Sequence, residues 1–299
     1  MSSQPFACAI VVVALGAIGC GGSSDRSPTA PSQTQGFRFV ADPGVRISAA
    51  AVAPISIGGT TYLYRRNASF PAMSTDGLSF ADAPGNAGNF PQQVHSLVAL
   101  TDGRIRAYFP AGSTGPGGPV SSAVSADGRA WTAEPATVFT LPMSSSRLMV
   151  AFGAGVFRAF FIGDCCPVRS AQSSDGLSFT QDAGDRINNA SGPGGPFDAP
   201  AAVFANGQWL MLVVKRPKPE DGPEARSSIW LATSSDGVSF TLDTQALIPS
   251  DAGSVNFPSL LNSGGVLRVY YSLYPGAPAQ SGGGNAFAIT QILSGTLVR

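Results

Sequence analysis

The chain has 299 residues, with 18 Lys plus Arg balancing 18 Asp plus Glu, and it carries 36 glycines and 24 prolines. That balance leaves no surplus of positive charge to neutralise a phosphate backbone or an anionic bilayer surface, which argues against nucleic acid as a partner and against membrane attachment through a basic patch. Only 12% of the residues are charged, and aromatic and β-branched runs alternate with Gly and Pro turns, so the expected class is all-β.

In chain order, residues 1–19 read as a signal peptide. The apolar run Ala7 to Ile18 (ACAIVVVALGAI) is too short to span a bilayer but has the length of a signal core. The stretch ALGAIGCGGSS, with Ala17 and Gly19 ahead of Cys20, resembles a bacterial lipoprotein signal. The resemblance implies cleavage before Cys20, lipidation of that cysteine, and a membrane-anchored protein of the bacterial cell envelope, periplasmic or surface-facing. An ordinary secretory signal with an incidental cysteine is the alternative. From Gly21 to Gln35 the chain has almost nothing to bury and reads as a flexible linker, making residues 20–35 a tether.

Residues 36–299 contain a repeat. The heptads STDGLSF (74–80), SADGRAW (125–131), SSDGLSF (173–179) and SSDGVSF (234–240) place Asp at 76, 127, 175 and 236, a period of the size of a propeller blade. Ahead of each lies a strand, a tight Gly turn and an apolar or aromatic second strand: GGTTYLYRR (58–66), DGRIRAYF (102–109), GAGVFRAFF (153–161) and NGQWLMLVV (206–214). A fifth unit has GGVLRVYY (264–271), and ILSGTLV (292–298) reads as its heptad with Ser294 in place of Asp. Five units of four short antiparallel strands imply a five-bladed β-propeller. The fifth unit lacks an outer strand, and Phe39-Val40-Ala41-Asp42 has the F-x-x-D form of Phe179 to Asp182 and Phe240 to Asp243. An N-terminal strand is therefore expected to close the ring in the last blade.

In this frame Asp76, Asp127, Asp175 and Asp236 sit in turns between third and fourth strands, where Asp accepts backbone hydrogen bonds and the following Gly takes positive φ. The heptads resemble the Asp-box of sialidase-type propellers, and more closely the S-x-D-G-x-x-F turn of five-bladed glycoside-hydrolase propellers. The resemblance covers nearly all of residues 37–299 as architecture, and it implies that these turns stabilise blades away from any substrate.

A site is expected on the opposite face, where the loops are long: 111–119, 163–168, 188–195, 216–226 and 275–284. Blade register puts His95, Arg147, Asp198 and Asn256 at the ends of the innermost strands around the central funnel. His95, the one histidine, could donate a hydrogen bond or serve only as a satisfied structural residue. Arg147 could hold a carboxylate or sugar hydroxyls, or make a surface salt bridge. Asp198 and Asn256 could bind sugar, or merely form turns ahead of strands. Cys165 and Cys166, adjacent in the loop GDCCPV, form either a strained disulfide or a pair of free thiols after export.

Three functions fit: recognition of a carbohydrate or other envelope component, glycoside hydrolysis, and a scaffold for protein partners. Hydrolysis needs two carboxyl groups flanking the scissile bond. The only glutamates are Glu134, Glu220 and Glu224, and Asp42 belongs to the closing strand, so no complete carboxylate set emerges. No cluster has metal-ligand spacing and no cofactor motif is found, although a calcium ion in the funnel stays open. A monomer is expected.

Overall fold

The structure, a computed structural model, describes residues 36–299 apart from 67, 69, 85–90, 92, 112–116, 143–146, 164, 165, 188–195, 223, 224, 252 and 276–289. The signal, lipid-anchor and linker readings of residues 1–35 lie outside the described residues, as do Cys165 and much of the long-loop face. After β1 (Arg38–Ala41) and β2 (Ile47–Ser48), blade one consists of β3 (Val52–Ile57), β4 (Thr60–Arg65), β5 (Ala72–Ser74) and β6 (Ala81–Asp82). Blade two holds β7 (Ser96–Ala99), β8 (Ile105–Pro110), β9 (Gly118–Ser125) and β10 (Thr132–Leu141). Blade three holds β11 (Met149–Gly153), β12 (Val156–Ile162), β13 (Val168–Ser173) and β14 (Thr180–Gln181). Blade four holds β15 (Phe197–Ala205), β16 (Gln208–Lys215), β17 (Ser228–Ser234) and β18 (Thr241–Leu242). In blade five β19 (Gly253–Ser263), β20 (Val266–Pro275) and β21 (Gln291–Val298) are completed by β1 at the outer edge, and β2 also pairs with β21.

The fold is thus all-β, five four-stranded antiparallel blades in a propeller. The first strands β3, β7, β11, β15 and β19 contact one another in a ring. They surround an axial channel of about 800 Å³, open ends included, lined by small and aliphatic side chains such as Ala53, Leu97, Ala151, Ala202 and Leu261. Second strands are sandwiched between neighbouring blades, which is why they read as continuous apolar runs. Trp209, Leu210, Met211 and Leu212 in β16 are all fully buried.

The heptad turns lie between third and fourth strands. Asp76 Oδ1 accepts the backbone N–H groups of Leu78 and Ser79 at 2.7 and 2.8 Å and the Ser74 hydroxyl at 2.7 Å. The same pattern recurs at Asp127, Asp175 and Asp236. Hydrogen bonds from Ser79 and Ser74 above all hold the Asp76 carboxyl well below the usual carboxylate range. In three of the four turns the glycine after Asp serves the next contact outward. The Tyr108 hydroxyl donates to the Gly176 carbonyl at 2.9 Å, Tyr270 to Gly77 at 3.0 Å, and Tyr64 to Gly128, each joining one blade to the turn of its neighbour. Gly176 has φ +72°, and a Cβ there would sit 2.8 Å from the Tyr108 oxygen, so both backbone and space require glycine.

The fifth unit departs from the sequence reading. Ser294 lies within a strand, opposite Tyr270, as Ser122 lies opposite Tyr108 and Ser170 opposite Phe160. Residues 292–298 are therefore part of the third strand of blade five and not a heptad turn. The turn is replaced by the chain termini: β1 pairs antiparallel with β21 from Arg38↔Val298 to Ala41↔Gly295.

A polar triad locks the outer strands of three blades. Asp42 accepts from Arg268 at 2.5 Å and from Ser294 at 2.6 Å. Asp182 does so from Arg158 at 2.9 Å and Ser170 at 2.6 Å, and Glu134 from both Arg106 nitrogens and Ser122. Arg268 and Asp42 side chains are only 16% and 17% exposed, so this is a largely buried pair whose disruption costs roughly 3 kcal/mol. Deleting residues 36–42 should therefore lower the melting temperature by roughly 6–12 °C, at roughly 2–4 °C per kcal/mol for a domain near this size. Deleting residues 21–35 should leave it unchanged within error. Equal melting temperatures by calorimetry would show that closure does not depend on β1.

Candidate functional site

Because β3 and its counterparts run from the long-loop face toward the tight Gly turns, their first residues ring the funnel mouth. Arg147 is the residue that crosses it. Its Nε donates to the His95 carbonyl at 3.1 Å, and Nη2 donates to the Val52 carbonyl at 3.2 Å and the Ser259 hydroxyl at 3.3 Å. A side chain rooted in blade three that reaches blades two, one and five must lie across the axis, above the apolar channel. Arg147 is 6% exposed, so the surface salt bridge that the sequence allowed is replaced by a buried guanidinium. Burial first, then the charge of Arg66, pull its pKa down to about 10, opposed by Asp198.

His95 is partly buried beside it. Its Nδ1 accepts the Leu148 N–H at 3.3 Å, which assigns the proton of the neutral ring to Nε2. Burial, then the charges of Arg147 and Arg66, lower its pKa to about 3. The ring is neutral at physiological pH and can only donate or accept hydrogen bonds.

Asp198 and Asn256 share one local role. Each accepts the N–H of the next residue, Ala199 at 2.7 Å and Phe257 at 3.2 Å, and those residues take φ +45° and +44°. Each precedes a shift in strand register, at Asp198/Ala201 and Asn256/Ser259. They are matching bulges in adjacent blades, and bulges of this kind re-aim side chains. Asp198 also pairs with Arg216. The left-handed conformation of non-glycine residues at Gln93, Ala199 and Phe257 costs of order 1–3 kcal/mol each and gathers at this mouth.

Two further residues lie near these. Exposed Arg66, just beyond the end of β4, joins Gln93, His95, Arg147 and Phe257 in lining a cleft of about 350 Å³, open mouth included. Tyr274, partly buried, lies close enough to feel the charges of both Arg66 and Arg216. The only local signal for Arg66 is a pair of arginines ending an otherwise apolar strand. By contrast Trp209 and Tyr270 are fully buried and Tyr271 packs against Phe39, so these rings serve blade packing.

The remaining carboxylates lie elsewhere. Glu134 and Asp42 belong to outer-strand triads, Glu220 is exposed in a short 3-10 turn, and Glu224 lies outside the described residues. Among the described residues no His, Cys, Asp and Glu side chains gather into a metal-sized group. Cys166, at φ +79° in the loop between β12 and β13, donates its N–H to the Gly163 carbonyl, and its pairing with Cys165 falls outside the described residues.

No family model matches the chain, and no curated protein matches it. Solved structures do. The catalytic domain of a Coprinopsis cinerea GH62 α-L-arabinofuranosidase superposes with a TM-score of 0.61 at 14% identity, covering 88% of this chain and 97% of that one. A thermostable family-43 glycoside hydrolase gives 0.61 at 12% identity, over 87% and 93%. An exo-1,5-α-L-arabinanase from a bovine ruminal metagenomic library gives 0.57 at 11%, over 87% and 96%. At these identities the likeness is one of fold.

The buried His95 carries a pH signature. Unfolded, it titrates near 6.5; folded, it stays neutral to about 3. Below pH 6.5 the unfolded chain gains a proton that the folded chain refuses, so stability falls toward acid by up to about 1.4 kcal/mol per pH unit. At pH 5 this amounts to roughly 2 kcal/mol, or roughly 4–8 °C. The drop in melting temperature between pH 7 and pH 5 should be smaller by that amount in His95→Gln than in the parent. Identical acid slopes would mean that His95 titrates normally.

Proposed function

We propose that the protein is an exported, lipid-anchored propeller of the bacterial envelope that binds carbohydrate at the funnel mouth without cleaving it. One observation carries the non-catalytic part. Among the described residues within the innermost strands β3, β7, β11, β15 and β19, Asp198 is the only carboxylate, and it is engaged by Arg216 and by the Ala199 N–H. Glycoside hydrolysis needs a second carboxyl group about 5–10 Å from the first, one acting as acid and the other as nucleophile or base. Asp42, the tempting candidate in ADPG, is held by Arg268 and Ser294 in the outermost strand of blade five.

The carbohydrate part is supported by fold likeness to proteins whose names are those of glycosidases, and by a mouth that combines guanidinium groups, a neutral imidazole and the Phe257 ring. The anchor rests on Ala17, Gly19 and Cys20 and the linker that follows them. Glycoside hydrolysis is the second reading, favoured by the same structural neighbours.

A glycan array followed by a free-sugar assay on every hit separates the two. The expected result is saturable binding with no sugar released. Release that disappears in Asp198→Asn would establish the hydrolase, and an array without hits would remove the carbohydrate reading.

A further inference from the structure

The cleft at the funnel mouth has an unusual electrostatic composition. Arg66 comes from blade one and Arg147 from blade three, and both line the same cleft. Among its described lining residues two are guanidinium-bearing and none is a carboxylate. Like charges placed together repel, and here each perturbs its surroundings: Arg66 lowers the pKa of Arg147, and the two together help to keep His95 unprotonated. Asp198, whose charge acts on Arg147, is itself bonded to a third arginine, Arg216. Among the described residues, none of the interblade or outer-strand side-chain bonds uses Arg66. Blades are joined by tyrosines and heptad turns on the other face and by Arg147 and serine hydroxyls along the inner strands, and the outer strands are locked by their own acids.

We infer that this cleft binds the carboxylate of an acidic sugar, a uronic acid or a sugar of similar charge, within a larger glycan; the inference rests on the carbohydrate reading above. The parts divide the work chemically. A guanidinium offers a planar fork of N–H donors that matches a carboxylate, and Arg66, being exposed, is free to turn onto one. Arg147 is fixed by its bonds to His95, Val52 and Ser259, so it supplies charge from the floor without reorganising. The neutral His95 ring has its Nε2–H available as a donor, because Nδ1 is taken by the Leu148 N–H. Phe257 presents an aromatic side chain beside them, suited to the apolar face of a sugar ring. The enclosed space is small, about 20 Å³, which gives room for a carboxylate group while the rest of the sugar stays at the open mouth.

The test is calorimetric titration of the purified protein with three probes: trigalacturonate, its fully methyl-esterified form, and inorganic phosphate. Trigalacturonate should bind, the ester should bind at least tenfold more weakly, and raising NaCl from 50 to 500 mM should weaken the acidic probe alone. Arg66→Gln should reduce trigalacturonate affinity at least tenfold with no change in melting temperature, while Arg66→Lys should recover part of the loss. Arg66 is chosen because the buried Arg147 could not be replaced without disturbing the fold. Equal binding of acid and ester, or an Arg66→Gln variant with parental affinity, would overturn the carboxylate inference and leave carbohydrate binding standing. Phosphate that binds as tightly as trigalacturonate, and in competition with it, would reduce the site to a bare anion site and overturn its assignment to a sugar. Failure of both trigalacturonate and its ester to bind would overturn the inference for uronic acids, and together with an array without hits it would remove the carbohydrate reading as well.

Discussion

Three of the five blade junctions share one kind of hydrogen bond between blades. A tyrosine near the middle of one second strand donates to the carbonyl of the glycine in the next blade's heptad turn, as Tyr108 does to Gly176 and Tyr270 to Gly77. Buried hydroxyls are costly unless paired, so each such tyrosine fixes both the separation and the rotation of two neighbouring blades. The Asp before the glycine is the local half of this device: it shapes the turn through Leu177 and Ser178, and the turn presents the carbonyl. The heptad is therefore interpreted as structural, with its carboxylates consumed by backbone N–H groups and unavailable for chemistry.

The heptad turns occupy one face, and the candidate site residues lie at the opposite one. The innermost strands begin there, and they begin irregularly, with bulges after Asp198 and Asn256 and left-handed backbone at Gln93, Ala199 and Phe257. Arg147 spans the opening and joins four blades through three acceptors and its own strand. It has two effects at once. It closes the mouth of an apolar channel, and it places a positive charge at the floor of the cleft.

The architecture was legible because repetition makes it so: four heptads, five second strands and the F-x-x-D segment of the closing strand are each local patterns. Misreading residues 292–298 as a heptad came from the same strength, since Ser294-Gly295 imitates the Asp-Gly pair while the strand register places Ser294 opposite Tyr270. The triads were written in the sequence too, as an Arg three residues after the turn Gly at 106, 158 and 268, but their acids come from a strand two places away. A second repeat was equally visible and equally unread: Arg46 and Arg186, each four residues after an F-x-x-D Asp, donate to the Leu78 and Val238 carbonyls of the following blade. The site was harder still. His95, Arg147, Asp198 and Asn256 could be placed near the funnel by register, but that Arg147 bridges it and that Arg66 shares its cleft depends on contacts between residues 52 to 112 positions apart. No local pattern encodes such contacts.

We propose a division of labour, with the heptad turns serving assembly and the funnel mouth serving ligand recognition. An experimental structure of the protein with trigalacturonate tests it. One sugar carboxylate should lie within hydrogen-bonding distance of Arg66, with its ring beside Phe257 and the heptad turns untouched. A sugar seated against the turns at Asp76, Asp127, Asp175 or Asp236, with the cleft at Arg147 filled only by solvent, would contradict it.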